Sequence, residues 1–308
     1  MNNKNKPKFA VLLAAFNGAQ FIERQINSII SQKNVEVSIF VSIDMSIDKT
    51  EAIIIRMMKK HHNIYLISKN RKFGNACKNF LFLIKNVNFD SYDFISFSDQ
   101  DDEWFPSKIK YMCKVLADNP SINLVICDAI ITDQYLSPTS ETVLSRLSRN
   151  FMLDSEYKAH NLGCAIAVSK SIMPLLLPIR KISGDALDYG HDTLLNEICC
   201  AINSRIVIKK PLQYYRRHPD AATIPDHTVV GSISSTNIKL SDHLNRSSEL
   251  SLEYLKRLHA LHLLIYRFMD YYSHEKPMLD NAQIFSISNL VSLYFALSGL
   301  FVDSTAFS

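Results

Sequence analysis

The sequence predicts an α/β protein: a mostly parallel central sheet flanked by helices, with a helical C-terminal extension. Two observations carry that prediction. Short apolar runs rich in β-branched and aromatic residues alternate with segments whose apolar residues recur at helical spacing, and the alternation repeats through the first third of the chain. The polar residues that could carry chemistry (Asn17, Asp44 and Asp99 to Asp102) each follow a strand candidate. Ligands of such sheets bind at the carboxyl ends of the strands.

The elements read in order. Phe9 to Ala15 is a short apolar strand, and Ala19 to Gln32 a helix with Ile22, Ile26, Ile29 and Ile30 on one face. Val37 to Ile43 is the second strand. Asp48 to His61 carries Ile54, Met57 and Met58 at helical spacing, with Asp48 as its N-cap. Ile64 to Ser68 and Gly74 to Lys85 form the third pair, and Tyr92 to Ser98 is the fourth strand. Helix signals resume at Pro106-Ser107-Lys108, where proline suits a first turn. Further strands are expected at Leu124 to Ile131, Gly163 to Val168 and Arg205 to Ile208, with a polar, loop-rich stretch over 137–158 and a helix His191 to Cys200 opened by Gly190. Residues 219–246, rich in Ser, Thr, Asp and Pro, read as a connection. Beyond it, Leu250 to Tyr272 is an amphipathic helix, and Ile284 to Phe301 is apolar but interrupted by Ser and Asn289. A membrane span needs about 20 cleaner apolar residues. A helical hairpin that covers the core or lies on the membrane surface is the expectation for 247–308.

With 47% hydrophobic residues the chain can bury a full core. Its formal net charge of +4 is too mild to indicate a nucleic-acid partner, but suits an anionic ligand or an anionic membrane surface. No apolar core follows the polar N-terminal residues, so no secretory signal is expected. The six cysteines show no CxxC spacing and read as reduced thiols of a cytosolic protein, not as a zinc site.

Ser98-Asp99-Gln100-Asp101-Asp102-Glu103-Trp104 is the densest chemical signal. Clustered carboxylates repel one another unless a cation sits among them, and Mg²⁺ or Mn²⁺ prefers oxygen ligands. A solvated acidic turn is the competing reading. Asp44 could accept hydrogen bonds from a base N–H or from ribose hydroxyls; its competing role, a helix cap, fits Asp48 better. No GxGxxG and no GxxxxGK[ST] occurs, so a bound nucleotide would need its phosphates neutralised by another route, such as a carboxylate-held metal. Trp104 offers either an aromatic face for a sugar ring or an ordinary core side chain.

The ordered set Ala15-Phe16-Asn17-Gly18, Ser42-Ile43-Asp44-Met45-Ser46-Ile47-Asp48, Asn70…Gly74…Asn79-Phe80 and Asp99 to Trp104 resembles the family 2 glycosyltransferases, and within them the bacterial rhamnosyltransferase-like members that build surface polysaccharide. The resemblance spans roughly residues 8–218. It implies the GT-A fold, with a nucleotide-sugar half over about 8–120 and an acceptor half over 121–218. It implies that Asp44 contacts the base, that Asp99 and Asp101 form the DxD motif, with Asp101 a direct ligand of Mn²⁺ or Mg²⁺ and Asp99 near the ribose, and that Ala15, Asn17, Asn75, Lys78 and Gln100 also line the nucleotide-sugar site. One departure stands out: Ile43-Asp44-Met45 replaces the usual Asp-Asp-Gly, so one carboxylate and one glycine are missing.

Tyr189-Gly190-His191-Asp192 falls where the family carries its catalytic base, which makes Asp192 the base and His191 an acceptor contact. Without the resemblance, Asp192 would be read only as favouring a helix N-terminus. Late in the domain, Tyr214-Tyr215-Arg216-Arg217-His218 offers His218 to the metal and Arg217, with Trp104, to the acceptor; a solvated basic strand end is the alternative. The implied activity is inverting transfer from a nucleoside-diphosphate sugar, dTDP-rhamnose favoured, to a lipid-linked saccharide of O-antigen or capsule, by a cytoplasmic enzyme peripheral on the inner membrane face. UDP-hexose or UDP-N-acetylhexosamine donors, or a non-catalytic nucleotide-sugar-binding protein, are the alternatives.

Overall fold

A computed structural model describes residues 6–145, 162–172, 191–192, 195–196, 199 and 204–221. The expectations for 146–161, for Gly190 and for the connection and helices beyond residue 221 lie outside these residues. All but the last few described residues belong to one compact unit formed by Met1–Arg180 and Leu187–His218.

Four βα units come first: β1 Lys8–Ala15, α1 Ile22–Ile30, β2 Glu36–Asp44, α2 Thr50–Lys60, β3 Ile64–Arg71, α3 Ala76–Asn86, β4 Phe94–Ser98, then β5 Glu103–Trp104 and α4 Lys108–Asp118. β6 Leu124–Thr132, β7 Pro138–Thr142, a short 3₁₀ turn Gly163–Ala165, β8 Ile166–Ser169 and β9 Arg205–Arg216 complete the described elements. The sheet order is β3-β2-β1-β4-β8-β6-β9-β5, with β7 on β6. β1, β2, β3 and β4 are mutually parallel; β8 is antiparallel to both β4 and β6, so β6 and its parallel partner β9 share the direction of the first half. β5 and β7 run the other way. The mostly parallel sheet expected from the sequence is therefore present, with β8 as an antiparallel insert.

This order creates a switch point. The chain builds outward from β1 through β2 to β3, then returns to place β4 on the other side of β1. In sheets of this kind ligands bind beyond the carboxyl ends of the strands at such a point. β1 can occupy the centre because Phe9 to Leu13 are apolar and wholly buried. α1 turns Ile22, Ile26 and Ile29 inward, also wholly buried, as their spacing predicts.

Several boundaries differ from expectation for local reasons. α3 starts at Ala76, not Gly74, because the Asn75 side chain caps it. Residues 163–165 form a 3₁₀ turn before β8. β9 runs on to Arg216, well past Ile208. Pro211 has no N–H for the ladder, and the register with β6 slips between Cys127 and Asp128; that bulge hides the strand's continuation from pattern reading.

Candidate active site

The loops leaving β1, β2 and β4 are stitched into one edge. Phe16 donates its amide to Gln100 Oε1 at 2.7 Å, and Gln100 Nε2 donates to Phe16 O at 2.7 Å, so a side-chain amide continues the β1–β4 pairing past its last rung. Asn17, with φ of +46°, donates its amide to Ser46 Oγ at 3.0 Å and accepts from Ile47 N at 2.9 Å. Gly18 donates to Thr50 Oγ1 at 2.8 Å, and a Cβ there would lie 2.1 Å from Gln100 Oε1. Glycine is what allows Gln100 to cross the loop. Lys49, not the expected Asp48, is the N-cap of α2; Asp48 accepts the amides of Thr50 and Ala19, both at 2.9 Å, which ties the first two loops together. Ala15 ends β1 buried, opposite Ile43.

At the end of β2, Asp44 is buried and its carboxylate accepts the amides of Met45 (2.8 Å), Phe73 (2.8 Å) and Gly74 (2.9 Å). It anchors the turn into α3. There Asn75 Oδ1 accepts the Lys78 amide at 2.8 Å. The sequence assigned Asp44, Asn75 and Lys78 to a ligand; the structure gives each a local hydrogen bond between the end of β2 and the start of α3.

The end of β4 is different. Asp99, Asp102 and Cys164 bring their oxygen and sulfur atoms within 4.8 Å of one another. Burial drives the Asp99 carboxyl well above the usual carboxylate range, and the charges of Asp101, Asp102 and Asp192 push it further. Asp102 is 0% exposed, and burial, with Asp101 beside it, pushes it up to about 7. Asp101 meets His218, whose Nε2 lies 2.9 Å from Oδ2. The His218 ring packs on Phe21, centroids 4.7 Å apart. Asp101 and His218, which the resemblance implies as cation ligands, thus lie in contact although more than a hundred positions apart. A carboxylate and an imidazole, with surplus negative charge around them, form a donor set that fits Mn²⁺ or Mg²⁺.

Asp192 is helical and lies close enough for its charge to raise Asp99. Gly163 permits that approach: a Cβ there would lie 2.8 Å from His191 Nε2 and 3.2 Å from Asp192 Cβ.

Two assignments need correction. His191 was expected to contact the acceptor. Instead it is buried between Phe80 and Phe97, with ring centroids 4.1 and 4.6 Å away, and burial lowers it to about 4, so it packs as a neutral core ring. Trp104 was expected to offer a face to the acceptor. It is 2% exposed, and its ring faces the ammonium of Lys108, with Nζ 3.8 Å from the centroid. The β5–β9 pairing carries it inward, Trp104 lying opposite Gln213. Arg217 turns back on its own strand, donating to Tyr215 Oη at 3.2 Å and through its amide to Thr132 O at 3.0 Å.

Sequence reading missed Lys108, Cys164, Gln213 and Arg216. Gln213 Nε2 donates to Asp102 Oδ2 (3.1 Å) and Cys164 Sγ (3.2 Å); Arg216 donates its amide to Asp102 Oδ1 (3.2 Å) and Nε to Asp101 O (2.6 Å). The available signal was a lysine one turn after the acid run, at the start of an amphipathic helix.

A parallel half-sheet with acids gathered at its switch point, joined to a mixed half that returns a histidine to them, defines the GT-A class of glycosyltransferases. Solved structures share this fold: S. aureus TarS in complex with UDP-GlcNAc superposes at a TM-score of 0.52 (18% identity, covering 95% of this chain and 92% of that one). The mannosyltransferase PcManGT from Pyrobaculum calidifontis, in complex with GDP-Man and Mn²⁺, gives 0.50 (15% identity, covering 99% and 77%). The chain belongs to glycosyl transferase family 2, whose family profile matches residues 10–173. It is 32% identical over 213 residues to the dTDP-rhamnosyl transferase RfbG of Shigella flexneri, covering 67% of this chain and 71% of that protein. A shorter match, 33% over 99 residues, covers 32% of this chain and 30% of the GalNAc(5)-diNAcBac-PP-undecaprenol beta-1,3-glucosyltransferase of Campylobacter jejuni. Among the described residues, no helix is long and apolar enough to cross a membrane.

Proposed function

We propose that the chain is a metal-dependent, inverting glycosyltransferase that moves a sugar, rhamnose from dTDP-rhamnose in the favoured case, to a lipid-linked saccharide in bacterial surface polysaccharide biosynthesis. The observation that carries this reading is the Asp101–His218 pair beside the clustered Asp99 and Asp102 at the carboxyl edge of β4. The rhamnosyl choice is supported by the Shigella relative, and the lipid-linked acceptor by the name of the Campylobacter one. The same reading puts residues 1–218 to work as the catalytic domain and the remainder as an extension on the inner face of the membrane.

Inverting transfer asks for three things. The acceptor hydroxyl must lose its proton as its oxygen attacks the anomeric carbon, the bond to the diphosphate must break, and both partners must be held in line away from water. Asp192 takes that proton. Asp101, Asp99 and His218 are the residues that would hold Mn²⁺ or Mg²⁺, which when bound supplies charge neutralisation for the departing diphosphate. Asp44, Asn17 and Gln100 fix the loops against which the nucleotide lies. Trp104 and His191 have no contact role in this scheme and support the site from the core.

The test is a thermal-shift screen of dTDP-rhamnose, UDP-hexoses and UDP-N-acetylhexosamines, with and without Mn²⁺. Specific binding raises apparent stability by mass action. A shift for dTDP-rhamnose that depends on Mn²⁺ is expected. A shift for UDP-sugars alone would replace the donor, and no shift for any nucleotide sugar would remove the reading.

A further inference from the structure

Lys108 opens α4 and is wholly buried, although lysines are almost never fully buried unless paired. An ammonium has three protons to give and accepts nothing. Cys164 O accepts one at 2.8 Å, Gln213 Oε1 accepts another, and the face of Trp104 lies 3.8 Å from Nζ. Burial lowers the pKa of the amine, and the nearby Asp102 and Asp99 oppose that shift. Replacing a buried charge together with its partners by apolar groups of similar volume is often neutral or stabilising, so stability gives no reason for the set as a whole.

The orientation of Gln213 gives one. Because the ammonium only donates, the carboxamide must turn its oxygen toward Lys108. Its NH₂ then faces Asp102 Oδ2 at 3.1 Å and Cys164 Sγ at 3.2 Å. Asp102 Oδ1 accepts the Arg216 amide at 3.2 Å, Arg216 Nε holds Asp101 O at 2.6 Å, and two residues on His218 meets Asp101. We propose that Lys108 is a positioning residue for the cation site: by dictating which way the Gln213 amide faces, it clamps Asp102 and keeps the Asp101–His218 pair in register. The proposal rests on reading Asp101 and His218 as cation ligands.

The full-length chain is titrated with MnCl₂ alone and free Mn²⁺ is followed by electron paramagnetic resonance. Lys108→Met and Gln213→Glu are each expected to weaken Mn²⁺ binding by about 10- to 100-fold, the range for groups that orient metal ligands. Gln213→Glu keeps shape and a partner for Lys108 but, when ionised, cannot donate to Asp102; the negative charge it adds would by itself favour a cation, so a weaker affinity reports the lost donation. The double variant is expected to bind no more weakly than the worse single one, since both break the same link. Lys108→Met leaves Cys164 O and Gln213 Oε1 without their donor and is expected to melt below the parent; if it fails to fold, Gln213→Glu still decides. Unchanged affinity in a folded single variant, or losses that add in the double, would overturn the role of Lys108. A parent that binds no Mn²⁺, or an Asp101→Asn variant that binds it equally well, would overturn the cation reading itself and this role with it.

Discussion

Two strands of this sheet, β2 and β4, deliver aspartates to the same edge, and their carboxylates are built for opposite purposes. Asp44, at the end of β2, is saturated: three backbone amides point at it and no other carboxylate crowds it among the described hydrogen bonds. Asp99, Asp101 and Asp102, at the end of β4, are crowded against one another, and Asp99 feels Asp192 as well. An acid fed by amides is a hinge pin for a loop. Acids pressed together are costly to ionise and call for a cation. Position on a sheet edge alone does not separate the two; the identity of the neighbours does.

The comparison can be broken at either end. In order of expected effect on turnover, Asp101→Asn comes first. It removes one charge from the crowded end and leaves His218 facing an amide, and steady-state assays should show a loss on the order of 100-fold or more in turnover, as when a charge-stabilising group is deleted. At the saturated end, Asp44→Ala strands three amides. The expected cost is about 1–3 kcal/mol of stability, seen in denaturant unfolding, with a rise in donor KM larger than any fall in kcat. If Asp44→Ala instead abolished kcat while unfolding normally, the contrast drawn between the two ends would be wrong.

Gly18→Ala tests the stitch between them. The new Cβ would meet the tip of Gln100, which can swing away, so the loss is the amide pair with Phe16. A small cost of about 1 kcal/mol and a modest rise in donor KM are expected. The least effect on turnover at neutral pH is expected from His191→Phe, because the ring only packs. Its signature is in stability against pH. His191 is held near 4 in the fold against 6.5 in the open chain, so the unfolded state binds the proton first and stability is lost as pH falls from about 6.5 to about 4. The phenylalanine variant should lose less stability across that window, as measured by urea midpoints.

The parallel half of the fold was legible because its signals are local. β-branched runs, isoleucines at helical spacing and acids just past strand ends all lie within a few residues of the features they specify. Asp101 and His218 were legible only through the family resemblance, since nothing in a run of acids says which distant histidine will reach it. Trp104 and His191 were misassigned because burial is decided by strand pairing with Gln213 and by Phe80 and Phe97, all far away in sequence. Lys108 was overlooked for the opposite reason: a lysine in a first helical turn reads as solvated, and only the fold shows it enclosed by Trp104, Cys164 and Gln213. The end of β9 was cut short because Pro211 and the bulge opposite it mimic a strand terminus.

The central claim is that the crowded end is where sugar transfer happens, with Asp192 as the proton acceptor. Asp192→Asn tests it most directly, with sugar transfer and donor binding measured on the same preparation. Turnover should fall by about 10²–10⁴-fold, the usual worth of a general base, while donor affinity stays at the parent level. Undiminished turnover with intact donor binding would contradict the account.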